Sequence, residues 1–399
     1  MLKTESFKYI VMKKKIFFMA LAVMGLAACQ SNGGDVISDK EAAFQQAVTP
    51  YVNHTVIATY KAMADAGIEL REQTQQILER VEQEQDYAQL MKDADASWRK
   101  MRKYWEQSEA FLYGPASAHN IDPHIDSWPL DFNAMNALLN DAARMAQIEE
   151  EGGAYVGDKL GYALKGFHAA EYLLFESVLV DGRAVGTGRP HATNLTHAEA
   201  VYLHAIVEDL TQQAILLEYC WAGEVSEAKM AILEEGEVEP YEDRYGAQMT
   251  NAGGKGSIYV SYQEAAEDII AGAIDIAGEV ADLKMGNPYI SSTPEERDYI
   301  ESPYSCTSTI DFADNIRSIQ HAYCGAQAGD YAISNYVYLQ DAELDASVRK
   351  AIEEAISAIE AIEDFENTAQ NNPKVKAAID KVQVLEGLLD DEVLPLLSK

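Results

Sequence analysis

Apolar residues recur at steps of three and four along nearly the whole chain beyond about residue 50, the spacing that lines one face of an α-helix. Val52, Val56, Tyr60, Met63, Gly67 and Leu70 make one such stripe, and Trp98, Met101, Trp105 and Leu112 a second. Leu160, Leu164, Phe167, Leu174 and Val178 predict a third helix, and Leu203, Leu210, Ala214, Leu217 and Trp221 a fourth. The stripes Ile269–Leu283, Phe312–Tyr323, Leu344–Ile359 and Ile379–Val393 continue the theme in the second half. No segment shows convincing period-two alternation. The pattern predicts an all-α protein made of amphipathic helices in bundles.

The breaks in the pattern suggest how the chain is organised. Gly114-Pro115 through Pro129 reads as a loop, and Asp181 to Thr193 is polar and Gly-rich. The longest irregular stretch is 223–256, acidic first and Gly-rich at its end. It divides the chain into a first helical bundle, 30–222, and a second, 257–399. Two bundles of similar size hint at an old duplication.

The N-terminus predicts export. Lys13, Lys14 and Lys15 precede an apolar run from Ile16 to Leu26, too short to span a bilayer and suited to a signal peptide. Leu26-Ala27-Ala28-Cys29 then reads as a lipobox, with residues 1–28 removed and the Cys29 sulfur taking the lipid. The expected location is a membrane-anchored lipoprotein on the periplasmic face or the cell surface.

Export also changes the charge. The 399 residues carry 31 basic and 65 acidic side chains; without the five Lys and one Glu of residues 1–28, a net charge of −38 remains. Such a field repels nucleic acid and concentrates cations. Three cysteines then remain, Cys220, Cys306 and Cys324, of which Cys306 and Cys324 are a possible disulfide. No CxxC spacing or Cys/His cluster in the sequence suggests structural zinc.

The sharpest chemical feature is Gly166-Phe167-His168-Ala169-Ala170-Glu171. On a helix, positions three apart lie one turn from each other, so His168 and Glu171 can share a site. Glu171 also falls on the apolar stripe, where an unpaired carboxylate costs several kcal/mol and needs a cation, a donor or a metal. Gly166 inside a helix makes sense if another backbone passes close by. Glu109, four residues after Trp105, is a second inward carboxylate. An imidazole with two carboxylates suits Fe, Zn or Mn. A buried His–Glu hydrogen bond that fixes helix register explains the same pattern. Asp131 and Asp311 each open a predicted helix and read first as caps, with site-lining as the other possibility.

Taken together, several blocks resemble the imelysin-like family. GxHxxE is present as Gly166, His168 and Glu171, followed by Tyr172-Leu173-Leu174-Phe175. Trp105 to Phe111 with Gly114-Pro115, Ser127-Trp128-Pro129-Leu130-Asp131, and Asp311-Phe312 with Asn315-Ile316 are similar to its other blocks. The resemblance implies two helical bundles, an envelope location and a metal-linked role. One branch of that family is classed as metallopeptidase; in another, an iron-importer component, the HxxE pair is taken as the iron site. The expectation is therefore an envelope lipoprotein that binds a metal ion, divalent or ferric, with iron ahead of zinc. His168, Glu171 and Glu109 are its expected ligands, and Asp131, Asp311, Trp105 and Gly166 line the site. Its expected partners are envelope iron or haem transport components. A metallopeptidase is the first alternative, but HxxEH chemistry needs a second His where Tyr172 stands. A non-catalytic peptide- or ligand-binding module with a structural His–Glu pair is the other.

Overall fold

The computed structural model describes residues 39–180, 183–191, 194–293 and 299–399. The predicted signal peptide and Cys29 lie outside the described residues. Among those described, no helix is long and apolar enough to cross a membrane.

Of three long helices, Ile57–Glu82 packs against both Ala88–Glu106 and His197–Ala222 through its apolar stripe. Trp98, Trp105, Tyr60 and Trp221 are fully buried there. The helices Tyr262–Glu279, Ser308–Cys324, Ala342–Glu360 and Pro373–Leu388 make up the second half. The halves interlock: Asp39–Pro50 packs on Tyr262–Glu279, and Ala88–Glu106 packs on Ser308–Cys324. Residues Ser38–Lys399 are one compact unit, so the core is not divided at 223–256, where the sequence predicts a boundary. The apolar faces on either side of that segment bury each other.

Two predicted helices differ from their stripes. The stripe from Leu160 to Val178 is broken into Gly153–Lys159, a short 3-10 turn at Tyr162–Leu164, and the helix Gly166–Leu174. The chain then turns extended: β1, Phe175–Val180, pairs antiparallel with β2, Arg183–Pro190. Val178, assigned to a helix by spacing, is 48 % exposed on that hairpin. Phe-Glu-Ser-Val-Leu-Val is half β-branched or aromatic, which suits a pleated strand better than a helix. β2 also needs Gly186, because a Cβ there would lie 2.3 Å from Tyr304 Cα.

The other departure lies after Glu279. Val280–Lys284 winds as a π-turn, which adds a residue to the turn and shifts the register. Leu283, predicted to face inward, is 46 % exposed, and Lys284 is buried in its place. Cys220, Cys306 and Cys324 are all free thiols, so Cys306 and Cys324 are not bridged.

Candidate functional site

The helix Gly166–Leu174 is short, and seven of its nine residues are apolar or Gly. Every position except Tyr172 is buried. It starts at Gly166 because the backbone there has φ +75° and lies against Ile125: a Cβ would come within 2.2 Å of the Ile125 carbonyl oxygen. Only glycine combines that φ with that approach. The close neighbour is the end of the helix Ile121–Ile125, as the sequence suggests, but Gly166 begins its helix and does not sit inside it.

This packing places His168 against Asp126, the residue after Ile125. His168 Nε2 lies 3.1 Å from Asp126 Oδ1, and His168 Nδ1 lies 3.2 Å from Glu171 Oε2. Both side chains are buried, His168 at 2 % exposure and Glu171 at 0 %. Glu171 Oε1 accepts from Tyr304 N at 3.0 Å and from Ser305 N and Oγ, each at 2.7 Å. Trp105 Nε1 donates to Asp126 Oδ2 at 2.7 Å.

A larger buried charge cluster surrounds this relay. The guanidinium of Arg102 pairs with Asp126, with Glu106 at 2.5 Å and Glu301 at 2.9 Å, and lies 3.6 Å from Asp311. Lys284 Nζ sits 2.8 Å from Glu301, 3.7 Å from Glu106 and 3.8 Å from Glu109. Asp311 lies in the first turn of Ser308–Cys324, not at its cap. It accepts from Ser302 Oγ at 2.5 Å and Thr307 Oγ1 at 3.1 Å. Asn315 Nδ2 donates to Glu106 Oε2 at 2.5 Å. The half-buried Trp128 ring covers the cluster, 6.2 Å from the His168 ring and 5.4 Å from Lys284 Nζ.

The predicted site residues therefore separate. His168, Glu171, Trp105 and Asp311 come together, with Gly166 supporting them. Glu109 belongs to a 3-10 turn, Glu109–Phe111, beyond the end of its helix. Its ion-pair partner is Lys284, and among the described residues no hydrogen bond joins it to His168 or Glu171. Asp131 stands apart as a helix cap, accepting from Ala134 N at 2.9 Å. Arg102, Glu106, Asp126, Lys284 and Glu301 were not singled out from sequence. Arg102 and Glu106 extend the Trp98 stripe by steps of four, and that signal was available.

Burial dominates the protonation of the group. It pushes the carboxyls of Glu106 and Glu109 well up, against the pull of Arg102 and Lys284 on the first and Lys284 on the second. It pushes Asp311 up to about 7, again opposed by Arg102. Burial also works on Asp126, but Arg102 and His168 overcome it and hold that carboxyl well below the usual range. For His168, burial favours the neutral ring, yet Asp126 and Glu171 together raise it to about 9. His168 is thus an imidazolium at neutral pH.

Six carboxylates, Glu106, Glu109, Asp126, Glu171, Glu301 and Asp311, face three cationic groups, Arg102, Lys284 and His168. Protons on the raised carboxyls offset the surplus, and a metal cation can do the same. The donors are all oxygen and nitrogen, a set that suits Fe, Mn or Zn. One oxygen each from Glu106, Asp126 and Glu301 lie within 4.8 Å of one another. Glu301 Oε2 and Asn315 Oδ1 are buried without a hydrogen-bond partner. The 3.2 Å between His168 Nδ1 and Glu171 Oε2 is the separation of two ligand atoms on one ion as well as that of a hydrogen bond.

An all-helical protein with a buried His–carboxylate centre and one small hairpin is the class that fold and site define. The chain belongs to the imelysin family, whose model, described as Imelysin, matches residues 56–391. It is similar to iron-regulated protein A of Synechococcus elongatus, at 26 % identity over 360 residues, covering 88 % of this chain and 86 % of that protein. The fold matches a crystal structure described as an iron-regulated protein A precursor from Parabacteroides distasonis. The TM-score is 0.73 at 23 % identity, with 92 % of this chain and 97 % of the other covered. An imelysin-like protein from Psychrobacter arcticum shares the fold at TM-score 0.59 and 11 % identity, covering 90 % of this chain and 96 % of the other.

Proposed function

We propose that this imelysin-family protein serves iron acquisition at the cell envelope, anchored through Cys29, and that its buried centre takes up a metal cation in exchange for protons. Iron is the first candidate, since similar proteins are named as iron-regulated. The observation that carries the reading is the surplus of buried carboxylates over Arg102, Lys284 and His168. Glu106, Asp126 and Glu301 are the nearest three-oxygen set, with the His168–Glu171 pair beside it and Glu109 reached through Lys284. Binding there must release protons and weaken in acid.

Calorimetry of the mature protein with Fe, Zn and Mn ions, run in two buffers of different ionisation heat, tests this. The expected outcome is binding tighter than about millimolar, with proton release, lost in Glu301→Gln. Heat changes no larger than dilution for all three ions would reject the proposal.

A specific observation favours a second reading, in which the cluster is a structural brace. Both His168 nitrogens and Glu171 Oε1 are already satisfied by protein groups. On that reading metal leaves the melting temperature unchanged, whereas His168→Ala lowers it. Peptide hydrolysis draws less support. Tyr172, where the HxxEH pattern needs a histidine, packs between Phe132 and Tyr304, with ring centroids 5.4 and 5.0 Å away. The carboxylates named in the cluster are held by Arg102, Lys284, His168 or hydroxyls. Chelator-sensitive cleavage of an unfolded protein, abolished by His168→Ala, would restore that alternative.

A further inference from the structure

Away from the buried centre, three loop and helix ends converge on different chemistry. We propose that His119, Cys220 and Asp243 form a separate binding site for a thiophilic divalent cation of the zinc type. His119 follows the short helix Pro115–Ala118, Cys220 lies in the last turn of His197–Ala222, and Asp243 sits in the loop before Tyr245–Thr250. One ligand atom from each lies within 4.8 Å of the other two. The tightest pair is His119 Nε2 and Asp243 Oδ2, 2.6 Å apart.

The ligand set suits such an ion. Zinc takes thiolate, imidazole and carboxylate together at bonds of about 2.0–2.3 Å in a tetrahedron. That geometry spaces ligand atoms roughly 3.3–3.7 Å apart, so the ion enters by parting His119 from Asp243 and replacing the proton they share, and its binding also releases the Cys220 thiol proton to solvent. Three protein ligands leave the fourth position to water. A thiolate in the set favours zinc or copper over magnesium or calcium.

The surroundings support a cation as well. Cys220 is at the C-terminal end of a 26-residue helix, where the backbone dipole presents its negative pole. The Tyr241 ring stacks on His119 at 3.5 Å between centroids and 4° between planes, which fixes the imidazole. Tyr245 packs on Trp221 at 4.8 Å and anchors the loop that carries Asp243. Among the described residues, no Lys or Arg pairs with Asp243, whereas the central carboxylates already hold Arg102 and Lys284. His119 and Asp243 are partly exposed, at 20 % and 29 %, so an ion can enter. The buried Cys220 thiol forms the floor.

Cobalt(II) is a suitable probe, because cobalt bound to thiolate absorbs in the near ultraviolet and cobalt bound only to oxygen and nitrogen does not. The mature protein is titrated with Co(II) and then with Zn(II). The expected result is a thiolate-to-cobalt band that stoichiometric Zn(II) bleaches. It is absent in Cys220→Ser, present in Cys306→Ser and Cys324→Ser, and at least tenfold weaker in affinity in His119→Ala. Far-UV circular dichroism confirms that each variant is folded. No thiolate band in the folded wild-type protein, or a band that survives Cys220→Ser, overturns the proposal. The central oxygen–nitrogen site cannot produce the band, so the two proposals fail independently.

Discussion

Arg102 is the side chain on which the buried cluster depends most, and Arg102→Met isolates its charge while keeping much of its volume. The guanidinium is 1 % exposed and contacts Glu106, Asp126, Glu301 and Asp311. Removing one partner of a buried ion pair costs about 3–5 kcal/mol, because the partner's charge is left in a poor solvent. Four carboxylates share this one cation, but they are coupled and their losses do not add. The expected destabilisation at pH 7 is therefore about 3–5 kcal/mol, limited by protonation of the orphaned carboxyls. That limit gives the pH dependence its sign. Without Arg102, the carboxyls that it now pulls down, those of Glu106, Asp126 and Asp311, titrate higher in the folded protein than they do in wild type. A group raised in this way stabilises the fold when protonated and loses that contribution as pH rises through its folded value. The deficit of Arg102→Met against wild type must accordingly shrink from pH 7 to pH 5. Urea unfolding of both proteins at the two pH values measures it. A deficit under about 1 kcal/mol at pH 7, the range of a surface ion pair, would refute the reasoning, as would a deficit that grows on acidification.

Three other outcomes follow from the same geometry. His168 is raised above its unfolded value of 6.5 to about 9, so its stabilisation is full below pH 6.5 and lost as pH rises through 9. The wild-type advantage over His168→Gln, roughly 3 kcal/mol at most by the size of that shift, should fade over this window in urea unfolding. Gly166→Ala must abandon φ +75° or push Ile125 away. A left-handed alanine alone costs roughly 1–2 kcal/mol, so thermal unfolding should show more than that, together with weakened metal binding. Asp131→Ala removes an exposed helix cap remote from the centre, which should cost about 1 kcal/mol and leave metal affinity unchanged in calorimetry.

Periodicity made much of the fold legible, because a helix shows its inward face as a repeat of three and four. It failed where a different backbone used the same residues. Phe175–Val180 continues a helical stripe in sequence but pairs with Arg183–Pro190 as a strand. The π-turn at Val280–Lys284 exchanges Leu283 for Lys284, and no spacing rule anticipates an added residue per turn.

The chain's own order of residues determined the all-helical class, the inward direction of His168 and Glu171, their one-turn spacing and the family resemblance. All of these are local, set within one helix or one short block. Tertiary packing alone decided that Arg102, Asp126, Lys284 and Glu301 meet that pair, and that Glu109 turns to Lys284 instead. These groups come from segments up to about two hundred residues apart, and each is an ordinary charged residue in its own surroundings. Only the burial of several helices against one another removes the water that would have solvated them, and only then must their charges find each other, a proton or a metal.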